Sequence, residues 1–204
     1  MTQDQPWDRQ GVHDELNRVQ ADFRRLLAQA TPATLAQRTS GTKWTNEQLL
    51  FHMLFGYMIV RALLPLVAAF GRLPDGASRG YARLLNSATR PFDLINYLGP
   101  CAAVHVYRPQ RMTAKLDRVL AALHRSLDAA TAEDLARGMH YPVRWDPFFS
   151  GYLTLADLYR YPTLHYDFHR RQLTLTSRSR GSGRWPARPG SARRDARPRR
   201  RACR

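Results

Sequence analysis

With 204 residues, 44% of them apolar, the chain is long enough for one folded body with a substantial core. A formal charge of +16 suggests nucleic acid, yet residues 1–169 hold 19 Lys and Arg against 15 Asp and Glu, a net of +4, and residues 170–204 supply the other +12 with 13 Arg against one Asp. Two cysteines, Cys101 and Cys203, exclude a disulfide framework, and the polar start MTQDQPWDRQ lacks the basic and apolar segments of a secretory leader, so a cytoplasmic protein is expected.

Helical spacing dominates the chain. In residues 12–28, Leu16, Val19, Phe23, Leu26 and Leu27 follow a 3-4 rhythm and predict a first amphipathic helix that ends before Thr31-Pro32. A second begins after Thr45, where Gln48 three positions on completes a capping box, and it extends to about Phe70 with a kink expected at Pro65. Its stretch 49–70 is long enough to span a bilayer. Arg61 near the middle, together with His52 and Pro65, argues against that, since a charge at the bilayer centre costs on the order of 3 kcal/mol. A helix buried on most sides of a bundle is expected instead, with no membrane partner.

Short helices are predicted around Tyr81–Ala88 and Pro91–Val104, the second broken or bent at Gly99-Pro100. Pro109 suits a helix first turn, and Met112, Leu116, Val119, Leu120, Leu123 and Leu127 form one apolar stripe behind it. The aromatic loop MHYPVRWDPFFSGY leads to the last helix, capped by Thr154 and Asp157, which runs to about Leu173 with a kink expected at Pro162. The fold predicted is all-α: a four-helix bundle with extra short helices between its second and third main members.

Bundles build metal sites from side chains on facing helices, and the histidines fit that plan. His165 and His169 stand four apart, so they share one helix face about 6 Å apart along the axis. His52 lies in LLFHMLFG among apolar neighbours. A buried imidazole there needs a partner for its nitrogens. Either it bonds a backbone carbonyl or buried side chain, or it faces His165 and His169 as a third metal ligand, with Gly56 leaving room one turn later. Three neutral ligands keep a position open for water or substrate and favour an anion there. His13 and His124, among polar neighbours, are read as lying on outer faces, and His105 and His140 near loop boundaries. Trp44 and Trp145 fill the core or close the bundle ends, with the loop around Trp145 a candidate entrance. Asp93, Asp157 and Asp167 are the candidate carboxylate partners of ligand imidazoles.

GTKWTNEQLLFHMLFG in the second helix, then W-D-P-F, then LTLADLYRYPTLHYDFHRRQL together resemble the DinB/YfiT-like superfamily of four-helix metalloenzymes. The resemblance covers residues 8–175. It implies a divalent metal, zinc before nickel or another ion, on His52, His165 and His169. It also implies a metal-dependent transferase or hydrolase with a small-molecule substrate, in which the metal activates water or a low-molecular-weight thiol such as mycothiol or bacillithiol for attack on an electrophile. A homodimer is a further expectation of the family.

Residues 176–204 are crowded with Arg, Pro, Gly, Ser and Ala and are expected to form a disordered tail. It could touch phosphate backbones without sequence preference, with Trp185 stacking on a base, or it could be solvated without a role. A shifted reading frame in a GC-rich gene would also produce this composition. Two further readings of the whole therefore stand beside the enzyme: a non-catalytic metal-binding helical protein, and a nucleic-acid-associated protein acting through its tail.

Overall fold

The computed structural model describes residues 7–175; the Arg-rich tail at 176–204 lies outside them. Four long helices form the bundle: α1 (Arg9–Gln29), α3 (Asn46–Phe70), α6 (Pro109–Ala129) and α8 (Leu155–Arg170). Between them stand the short α2 (Pro32–Leu35) and α7 (Ala132–Ala136), the α4 (Asp75–Ser87) and α5 (Thr89–Ala103) pair, and an antiparallel hairpin of β1 (Gly138–His140) and β2 (Tyr152–Thr154).

The apolar stripes read from the sequence meet in one core. Leu16, Val19 and Phe23 of α1, Leu50 and Leu54 of α3, Leu116 and Leu123 of α6, and Leu158 of α8 are all buried. Capping boxes set the starts of the two helices that carry the site. Thr45 N donates to Gln48 Oε1 at 2.9 Å and Gln48 N to Thr45 Oγ1 at 3.4 Å. On α8, Thr154 N donates to Asp157 Oδ2 at 2.9 Å and Asp157 N to Thr154 Oγ1 at 3.1 Å. Each cap is worth about 1 kcal/mol.

Helix α3 packs most heavily against α8 and α6, and among the described residues it is the one helix long and apolar enough to cross a membrane. Its burial is uneven along its length, unlike the helix covered on most sides that the sequence suggests. Leu49 to Leu54 are buried without a break, whereas beyond Phe55 one flank opens, with Ile59 38% exposed and Arg61 and Ala62 at the surface. Phe55, Gly56, Ile59, Leu63 and Leu66 of this helix form one wall of a cavity.

The expected break at Gly99-Pro100 is absent: α5 runs through both residues to Ala103. Pro100 costs the helix the N–H that would bond Asn96 O, and its burial, the deepest in α5, is what offsets that loss. The hairpin has no counterpart in the sequence reading, because three-residue strands are too short to display alternation. It is tightly made, since a Cβ on Gly138 would meet Leu153 O at 2.5 Å.

Candidate metal centre

Two buried histidines, one on α3 and one on α8, face each other with a third beside them. His52 and His165 are each 5% exposed, and His169 is half-buried one turn after His165. Ring centroids lie 4.9 Å apart for His52 and His165, 4.8 Å for His52 and His169, and 4.5 Å for His165 and His169. One nitrogen from each ring falls within 4.8 Å of the other two. Nitrogens bound to one tetrahedral zinc at about 2.0–2.1 Å lie about 3.4 Å apart, so the rings must close by up to about 1.4 Å to share one ion.

The electrostatics favour neutral rings. Burial, and then His169, pushes His52 down to about 3. Burial holds His165 well below its ordinary value, with His52 and His169 adding to the effect, and lowers His169 against the opposing hydrogen bond that its ring donates to Gln172. Deprotonated imidazoles carry the lone pairs that a metal takes. Moreover, His52 Nδ1 and His165 Nδ1 are buried without a hydrogen-bond partner. Buried polar atoms are rarely left so, at a cost of about 1–3 kcal/mol each, and a group bound among the rings would reduce it. The donor set thus fits a single divalent ion.

The surrounding side chains orient these rings. His169 Nδ1 pairs with Gln172 Oε1 at 2.7 Å, which fixes that nitrogen as the N–H and leaves Nε2 free. Trp44 packs on His52 with centroids 4.5 Å apart and anchors its own Nε1 on Tyr97 O at 3.2 Å. Gly56 serves differently from the expectation of open space. A Cβ there would lie 3.1 Å from His165 Nδ1, so the room it leaves is filled by the His165 ring itself.

The carboxylate near the rings is Asp146, which the sequence reading passed over. Its Oδ2 lies 3.9 Å from His165 Nε2 and accepts the Tyr161 hydroxyl at 2.8 Å, and its Oδ1 accepts Phe148 N at 2.8 Å. Burial raises its pKa, against those hydrogen bonds and His169. The three aspartates proposed from sequence are engaged elsewhere. Asp157 caps α8, Asp167 pairs with Arg18 at 2.8 Å, and Asp93 lines a surface cleft beside Lys43. Gln172, three positions after His169, was within reach of the i to i+3 rule; Asp146 was visible only as part of the W-D-P-F loop.

The other histidines stay apart from this centre. His13 and His124 do not sit free on outer faces: their rings stack between α1 and α6 with Nδ1 atoms 2.6 Å apart, and His13 Nε2 meets Asp128 at 3.0 Å. His140 pairs with Gly151 O at 3.0 Å in the hairpin.

Above the three rings opens a cavity of about 540 Å³, bounded by α3, α4, α5, α8 and the loop between the strands. Trp145 stands in its wall, stacked on Phe92 at 4.0 Å and bonded to Leu85 O at 2.9 Å. The arrangement can therefore hold an ion at the floor of an apolar chamber large enough for a small molecule.

Compared with known families, residues 15–173 match the model of the DinB superfamily, which spans both histidine-bearing helices. No curated protein and no solved structure gives a significant match.

Proposed function

Because the chain belongs to the DinB superfamily, we propose that it is a metal-dependent enzyme in which His52, His165 and His169 hold one divalent ion, zinc first, for attack of a water or low-molecular-weight thiol on an electrophilic small molecule. The observation that carries this reading is the convergence of three imidazoles, two buried and one half-buried, with nitrogens within 4.8 Å of one another at the floor of a cavity. A structural zinc site takes four protein ligands, whereas three leave a position for a reactant. When bound, a divalent ion supplies a lowered pKa for a water or thiol in that position.

The chain's own groups do the rest. Gln172 holds His169 in one tautomer, and Trp44 covers His52. Asp146, buried and 3.9 Å from His165, is placed to take up at Oδ2 the proton that a nucleophile releases, and Tyr161 orients its carboxyl. The apolar walls exclude bulk water, which strengthens every charge interaction at the floor.

The test is thiol consumption in the presence of an electrophile such as 1-chloro-2,4-dinitrobenzene, with mycothiol or bacillithiol as donor. Conjugation above the uncatalysed rate that a chelator abolishes and zinc restores is expected. Equal rates with and without chelator would reject the metal-dependent mechanism.

A further inference from the structure

The cavity over the histidines is chemically one-sided. Phe55 and Ile59 of α3, Phe92 and Ile95 of α5, and Phe148 and Phe168 give it aromatic and aliphatic walls. Among the described residues that line it there is no Lys or Arg. Its carboxylate, Asp146, is already engaged by Tyr161 and Phe148 N, and both indole N–H groups are bonded to backbone carbonyls.

Asn96 and Tyr81 add neutral polar groups to the lining, and away from the histidine rings one buried side-chain atom among the described lining residues has no hydrogen-bond partner. Tyr141 lines the cavity, is 5% exposed, and its hydroxyl is buried with no hydrogen-bond partner. A phenol O–H in that state lacks an acceptor, and since the oxygen itself is closed to solvent, a ligand in the adjoining chamber reaches it through a small shift of the ring.

A charged ligand finds no compensation here. An anion entering apolar walls loses hydration with no side-chain cation to replace it, and the attraction of a bound metal is taken by the nucleophile. A cation likewise loses hydration, since the carboxylate in the lining, Asp146, is already engaged, and in the metal-loaded form it also meets a positive ion at the floor. We propose that the cavity takes an uncharged, flat aromatic compound bearing a neutral acceptor such as a carbonyl or nitro oxygen, with the Tyr141 hydroxyl donating to that oxygen. Flat rings match walls that are themselves stacked aromatics, as Phe92 and Trp145 are at 4.0 Å. As the identity of the electrophile, the proposal rests on the metal-enzyme reading; as a statement of what the chamber binds, it can be tested without metal.

The experiment titrates the full chain, metal-free and zinc-loaded, with three probes of one size: 2-acetylnaphthalene, 2-naphthoate and 2-naphthylmethylammonium. Binding is followed by quenching of tryptophan fluorescence, since Trp44 and Trp145 line the chamber. The neutral ketone is expected to bind at least about tenfold more tightly than either ion in both forms. Tyr141→Phe should weaken the ketone by about three- to tenfold and leave metal content unchanged. Ile59→Arg, a change at a wall residue 38% exposed, should reverse the order in favour of naphthoate. An ion that binds as tightly as the ketone, no binding of any probe, or an unchanged ketone affinity in both variants would overturn the proposal. A chain that prefers the ketone yet takes up no metal would keep it and reject the metal-enzyme reading instead. One metal per chain without probe preference would do the opposite.

Discussion

At the scale of single residues, the site depends on side chains that touch the ligand rings rather than on the rings alone. Gly56→Ala places a methyl 3.1 Å from His165 Nδ1, which forces the ring to yield by a few tenths of an ångström. Alanine is also favoured over glycine inside a helix by about 1 kcal/mol. Stability to denaturant should therefore hold or rise while zinc affinity falls, and a zinc affinity equal to wild type would show that the ring is not confined. Gln172→Leu removes the acceptor that fixes His169, and loss of such a partner commonly costs about 10- to 100-fold in metal affinity. Competition with a chromogenic chelator measures it; an unchanged affinity would mean that His169 needs no support. The three histidines were legible in the sequence because one lay in an apolar run and two shared a helix face. Asp146 was not, since its place beside His165 depends on where a hairpin loop folds back, and no periodicity encodes that.

At the scale of elements, a buried clamp sets how α3 and α8 stand to each other. Asn46, the first residue of α3, is fully buried. Its Nδ2 donates to Thr34 O at 2.8 Å and to Thr174 Oγ1 at 3.0 Å, and its Oδ1 accepts Thr174 N at 2.9 Å. The side chain thereby ties α2, the start of α3 and the segment after α8, near the end that carries His169. Asn46→Ala strands the backbone groups of Thr34 and Thr174, and a loss of about 2–4 kcal/mol is expected, read as a lower denaturant midpoint with weaker zinc binding. A midpoint within about 0.5 kcal/mol of wild type would remove the clamp from the account. The long helices were readable because capping boxes at Thr45 and Thr154 and the 3-4 stripes agreed with their packing. The run of α5 through Gly99-Pro100 was not, because local propensity argues for a break there and the burial of Pro100, a tertiary effect, overrides it.

At the scale of the whole molecule, the burial of imidazoles links stability to pH. His52, His165 and His169 are all held below their ordinary value by burial, as is His124, with His13 adding to its shift. In the unfolded chain they titrate near 6.5, so below that pH the unfolded state binds more protons than the folded one. Stability is therefore complete above about pH 6.5 and is lost on acidification, by up to about 1.4 kcal/mol per pH unit for each of the buried His52 and His165 and by less for the more exposed His169 and His124, a loss that for His52 continues to about 3. The raised carboxyls of Glu15 and Asp146 act in the opposite sense. In chelator, the denaturant midpoint should fall between pH 7 and pH 5, and His165→Gln should make the fall shallower. A midpoint independent of pH over that interval would contradict the burial of neutral rings.

The central claim is that two helices a hundred residues apart in sequence form one metal site, and elemental analysis of purified protein tests it most directly. About one divalent ion per chain is predicted for the wild type and for His124→Ala, with strong loss in His52→Ala, His165→Ala and His169→Ala. Full occupancy in His52→Ala, or no metal in wild-type protein supplied with zinc, would contradict it.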